Sequence, residues 1–175
     1  LEESLECDLL LLLLDCSDTV EEVVRKFETS RRELFDRTDP AGDPYDLLVV
    51  LTKCDSCNKS HVNAVTQALD SFGVSDTILT SSTSFEGIEN LRSSILTRLH
   101  GPPISFRVLP PNSVSDRPIA AIESEIRRNS MVKERKMTDE GLHLVAWIDP
   151  ADWGRLNRSL GKRIHREVEQ FSQAE

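Results

Sequence analysis

The sequence predicts an α/β chain in two parts: a parallel, helix-covered sheet, then a small α+β domain. Three observations carry this. Leu9–Leu14 and Leu47–Leu51 are unbroken apolar runs, the pattern of strands buried on both faces. Between such runs the apolar residues fall at helical spacing, so strand and helix alternate as a parallel sheet requires. After Gly101-Pro102-Pro103 this alternation changes, and two predicted strands, Met131–Met137 and Leu142–Ile148, come with only turn residues between them. The boundary is therefore placed near Gly101, giving domains over 1–101 and 102–175.

In chain order, Leu1–Cys7 reads as the tail of a helix and Asp8–Leu14 as the first strand. Asp18-Thr19-Val20-Glu21 matches a capping box. Val20, Val23, Val24, Phe27 and Leu34 then mark a helix to about Asp36. Thr38–Tyr45 is a loop, and Leu47–Leu51 is the second strand. Asn58 or Ser60 caps a helix whose buried stripe is Val62, Val65, Leu69 and Phe72, with Gly73 closing it. Asp76–Thr80 is a third strand, and Ile88, Leu91, Ile95 and Leu99 mark a third helix. In the second domain Ser105–Leu109 is a strand. Pro118 opens a helix with Ile119, Ile122 and Ile126 facing inward. Met131–Met137 and Leu142–Ile148 form a hairpin around Thr138-Asp139-Glu140-Gly141. Asp149 caps a last helix that starts at Pro150, with Trp153, Leu156, Leu160 and Ile164 on one face. The second domain is thus expected to be βαββα.

Charge is unevenly distributed over the 175 residues. Residues 1–100 carry 9 basic and 19 acidic side chains, whereas 101–175 carry 12 and 11. The first part repels nucleic acid in bulk, and the second can approach a phosphate backbone locally. No run approaches the ~20 apolar residues of a membrane span, and no signal-peptide pattern is present. A cytoplasmic protein without a membrane partner is expected. The chain begins at Leu1 rather than Met, which suggests part of a longer protein. Cys7, Cys16, Cys54 and Cys57 do not suggest a disulfide framework in such a chain. Cys54-Asp-Ser-Cys57 with His61 has zinc-like spacing, but no second Cys or His pair completes a tetrahedral site, so no metal is assigned.

Ligands of open α/β sheets sit at the carboxyl ends of the strands. Thr52-Lys53-Cys54-Asp55 lies at such an end. A lysine stem there can lie along a purine ring, while an aspartate accepts hydrogen bonds from guanine's ring N–H and exocyclic amine. The tetrapeptide resembles the Asn-Lys-x-Asp guanine motif of GTPases, with Thr52 in place of Asn. After the next predicted strand, Ser81-Ser82-Thr83 occupies the place of the GTPase Ser-Ala-x turn, where a backbone N–H meets the guanine carbonyl oxygen. One helix and one strand separate the two loops, as that topology requires.

These residues, with Leu1–Leu11, Asp15-Cys16-Ser17-Asp18 and the Lys136–Leu142 hairpin, resemble the distal half of an HflX-type GTPase. The resemblance implies a partial P-loop NTPase-like parallel sheet. It also implies binding of GTP or GDP through Thr52, Lys53, Cys54, Asp55, Ser81, Ser82 and Thr83, and association with the large ribosomal subunit. The phosphate-binding Gly-x-x-x-x-Gly-Lys-[Ser/Thr] loop is absent from the sequence, as are the switch motifs. Mg²⁺ is accordingly expected only in an intact protein, and no catalytic residue is assigned. Gly154–Lys162 mimics the phosphate loop but is two residues too long. A nucleotide-independent module that binds ribosome or protein is the competing class. Arg155, Arg158, Lys162, Arg163 and Arg166 give the predicted last helix a basic side, either solvated or facing ribosomal RNA. Trp147 and Trp153 are expected in the core, and the four histidines receive no role.

Overall fold

The computed structural model describes residues 7–35, 46–113 and 116–167. Apart from Cys7, the helix tail over Leu1–Cys7 lies outside these residues. So does the loop over Thr38–Tyr45. The chain divides into two compact units, Leu1–Leu99 and His100–Glu175.

The first unit alternates β1 (Leu9–Asp15), α1 (Val20–Phe35), β2 (Asp46–Thr52), α2 (Lys59–Asp70), β3 (Thr77–Leu79) and α3 (Ile88–His100). The strands form a parallel sheet in the order β1-β2-β3, with Asp15 level with Thr52 and Leu51 level with Leu79. β2 is central and buried on both faces, which is why its sequence shows no alternation. Val49 and Leu51 point into a core shared with Leu14, Val23, Phe27, Val65 and Leu69, so α1 and α2 cover one face. Leu48 and Val50 are equally buried on the other face, where Leu48 lines a surface cleft together with Ser94 and Thr97 of α3.

The helix ends follow local chemistry. α1 is capped one residue later than expected: the Thr19 hydroxyl accepts the Glu22 N–H at 3.3 Å, and Glu22 itself pairs with Arg25. Asn58 caps α2 by accepting the His61 N–H at 2.8 Å. Beyond α2, Val74 N–H reaches Leu69 O and Gly73 N–H reaches Asp70 O, a Schellman closure with Gly73 at φ +82°. α3 departs from the expected stripe. Ile88 and Leu99 are exposed, and the deepest residue is Leu96. Leu91 and Ile95 are half-buried, so the covered side of the helix runs through Leu91, Ile95 and Leu96.

The second unit runs β4 (Ile104–Val108), α4 (Ile119–Arg128), β5 (Ser130–Thr138), β6 (Gly141–Ile148), α5 (Pro150–Leu160) and β7 (Ile164–Glu167). Its sheet is antiparallel in the order β5-β6-β4-β7, a split βαβ arrangement. The expected βαββα pattern is corrected to βαββαβ. The last helix does not reach Ile164: it stops at Leu160, and Gly161 takes φ +53° where a side chain is disfavoured. Ile164 still faces the core, but as a strand residue beside Val108. Phe106, Ile122, Ile126, Leu142, Leu144 and Leu156 form that core, and Trp153 packs on Phe106 with ring centres 5.2 Å apart. Trp147 is also buried.

This correction dissolves the basic helix side. Arg155 and Arg158 lie on α5, Lys162 and Arg163 in the turn after it, and Arg166 on β7. Arg155 pairs with Asp152. Arg163 turns inward and donates to Arg117 O at 2.7 Å and Leu109 O at 3.1 Å. Replacing Arg163 by Ala is expected to destabilise by about 2 kcal/mol, the range of hydrogen bonds from a charged donor. Lys162→Ala, at an exposed position, is expected within about 0.5 kcal/mol of wild type. Urea unfolding of both variants checks the contrast.

Candidate nucleotide-base site

Parallel pairing brings the expected loops to one end of the first sheet. β2 ends at Thr52, and Lys53-Cys54-Asp55 leads into a single 3₁₀ turn over Cys54–Ser56. β3 ends at Leu79, followed by Thr80 and Ser81. The two loops are joined directly: Thr80 N–H donates to Leu51 O at 2.7 Å, and Cys54 N–H donates to Thr80 O at 3.1 Å. The seven residues expected from sequence therefore gather at one end of the sheet, Thr52 as the last residue of β2 and the other six on the loops that follow β2 and β3.

Their roles differ. Thr52 donates its hydroxyl to Leu14 O at 3.2 Å, which ties the end of β2 to β1. Ser81 is fully buried and organises its turn, its Oγ accepting the N–H groups of Thr83 and Ser84 at 3.1 and 3.0 Å. Ser82 and Thr83 are exposed, and the Ser82 N–H has no partner among the described residues. The Asp55 carboxylate is exposed and likewise makes no hydrogen bond or ion pair among them. One acceptor and one backbone donor are thus left open on adjoining loops. A surface cleft of about 390 Å³ borders Cys54 and Asp55, with Lys59, Leu79 and Glu86 among its walls. Lys53 and Ser81–Thr83 do not line that cleft.

Lys53 has a left-handed backbone, φ 57° and ψ 34°, which is uncommon for a residue with a side chain. Its ammonium lies 2.5 Å from Asp15 Oδ2. The other Asp15 oxygen accepts the Ser17 N–H at 3.0 Å and the Ser17 hydroxyl at 2.6 Å. The hydrogen bonds from Lys53 and Ser17 bring the Asp15 carboxyl down to about 2, and the same contact with Asp15 raises the Lys53 ammonium. Between their ordinary values, 3.8 and 10.5, both groups are charged. The stabilisation is lost as pH falls through about 2, and at the alkaline end as pH rises through the raised lysine value.

Sequence reasoning assigned no role to Asp15 in the site. The available signal was its place at the end of the neighbouring strand, level with Thr52. Cys57 and His61 are committed elsewhere: Cys57 Sγ donates to Cys16 O at 3.2 Å, and His61 Nε2 lies 2.9 Å from Cys16 O and 3.0 Å from Asp18 O. Burial, and then the nearby Cys57, push the Cys16 thiol up to about 12. Among the described residues no group of three or more His, Cys, Asp and Glu side chains has the geometry of a metal site.

In the second unit, strand pairing joins Ser105, His143 and Glu167. The set resembles a nucleophile, base and carboxylate, but its geometry is wrong for that chemistry. Ser105 Oγ and Glu167 Oε2 both approach His143 Nε2, at 3.0 and 2.7 Å. A relay needs the two partners on different ring nitrogens. Glu167 also pairs with Arg107 at 2.7 Å, so the cluster ties β7 to β4 and β6.

Among the described residues no helix is long and apolar enough to cross a membrane. No protein-family model matches the chain, and no curated protein matches it.

Proposed function

We propose that the first unit is the base-reading part of a guanine-nucleotide-binding domain of the P-loop NTPase type, within a GTPase resembling the HflX group. The observation that carries this is the pairing of two open groups on joined loops. The Asp55 carboxylate is free to accept from guanine's ring N–H and amine, and the Ser82 N–H is free to meet its carbonyl oxygen. Adenine offers an acceptor in place of the ring N–H, only a C–H in place of the amine and a donor in place of the carbonyl oxygen, and is rejected. The sheet also supports the reading. Leu11 and Leu13 stay exposed on edge strand β1, level with buried Leu48 and Val50, as expected where a further strand and helix belong. Phosphate and Mg²⁺ contacts, and with them hydrolysis, fall to groups outside the residues named here.

The test is nucleotide competition on the 175-residue chain. A fluorescent GDP analogue should bind weakly, because phosphate contacts supply much of the affinity in such sites. Excess GDP should displace it and ADP should not. Equal displacement by ADP overturns the guanine assignment. Association with the large ribosomal subunit remains part of the proposal. The exposed cations Arg158, Lys162 and Arg166 are the available contacts, and their contribution should fall with salt.

A further inference from the structure

We infer that Asp15 is a positioning residue of the base site, its ion pair with Lys53 holding the lysine stem in place as a wall for a purine face. The inference rests on the guanine assignment above. A free lysine side chain samples many rotamers, and ordering it on binding costs affinity. Here the ammonium is already anchored at 2.5 Å, although 60% of the Lys53 side chain is exposed. The anchor is itself fixed. Asp15 is the last residue of β1, Ser17 holds its second oxygen from two donors, and Cys16 N–H donates to Thr52 O at 2.9 Å. The left-handed backbone at Lys53 is a second, independent observation. A strained conformation persists where its surroundings over-determine it, and such residues cluster at ligand clamps. The arrangement divides the work: Asp55 reads the base edge, and the Asp15–Lys53 pair sets the stem beside its face.

The test is a double-mutant cycle on the 175-residue chain, with guanosine and inosine as probes followed by NMR titration. Asp15→Asn removes the anchor, and Lys53→Met keeps the stem while removing the ammonium. Each single change should weaken guanosine binding about five-fold, the upper range for an exposed ion pair. The double variant should lose no more than either single one. Asp15→Glu, which keeps the charge, should recover part of the loss. The guanosine-to-inosine ratio should stay at its wild-type value in Asp15→Asn, whereas Asp55→Asn should change it. Urea midpoints report folding of each variant. Losses that multiply to about 25-fold in the double variant, or an Asp15→Asn chain that binds guanosine as wild type does, overturn the inference and leave the Asp55 assignment standing. A wild-type chain that binds neither nucleoside overturns the guanine assignment itself, and the inference with it.

Discussion

Asp55→Asn is expected to invert base preference in a protein that carries this site with its phosphate contacts. The carboxylate offers only acceptors, which suits the two adjacent donors on guanine. An amide replaces one acceptor with a donor that then faces a donor. Hydrogen bonds to charged groups are worth roughly 1.5–3 kcal/mol each; one is lost to a contact that leaves a buried donor unpaired, and the other is weakened to a neutral bond, so the change costs about 3–6 kcal/mol. In affinity for GTP that is on the order of a hundred- to ten-thousand-fold. Xanthine carries an oxygen where guanine has its amine, so the amide regains an acceptor and xanthosine triphosphate should bind better to the variant than to wild type. The Asp55 carboxylate is exposed and makes no hydrogen bond or ion pair among the described residues, so the change should leave stability nearly untouched. Unaltered GTP binding by the folded variant would falsify the assignment of Asp55 to the base edge.

Gly87→Ala should have the largest effect on the fold of the first unit. Gly87 sits at φ +71°, and a Cβ there would lie 1.8 Å from Leu79 O. The contact is with backbone of β3, so no side chain can swing away. The left-handed conformation alone costs roughly 1–2 kcal/mol with a side chain. The forced backbone shift adds to this, for a total of about 3 kcal/mol, at the high end for a single replacement. The shift would strike the base site as well. Glu86 O accepts the Ser81 N–H at 3.0 Å, and Gly87 O accepts the Leu91 N–H at 2.9 Å, so the turn holds the Ser81–Thr83 loop against the start of α3. Urea unfolding should show the loss of stability, and guanosine binding should weaken along with it. Wild-type stability would mean that the β3–α3 turn is not as tight as the structure describes.

The parallel sheet was legible because its physics is local in sequence. A strand buried on both faces needs a continuous apolar run, and Leu47–Leu51 supplies one. The adjacency of the two candidate loops followed from strand order, and Cys54 N–H to Thr80 O is its structural expression. β7 was not legible. Leu156, Leu160 and Ile164 continue a helical spacing, so periodicity alone extends α5 through Gly161. The four-residue strand is specified instead by pairing with β4, more than fifty residues away in sequence, and by the ties that Arg107 and His143 make to Glu167. Asp15 escaped notice for a similar reason. It is 38 residues from Lys53, and only the parallel register brings the two together. The ends of α3 mark the limit of reading burial from spacing: Ile88 and Leu99 fall on the stripe and are nonetheless exposed.

The most direct measurement is an NMR titration of the isotopically labelled 175-residue chain with guanosine and, separately, adenosine. Neither probe carries phosphate, so the base alone is tested. Guanosine should produce saturable shifts confined to Lys53, Asp55 and the Ser82 amide, with adenosine silent at the same concentrations. Absence of saturable shifts, or equal shifts with both nucleosides, would contradict the account.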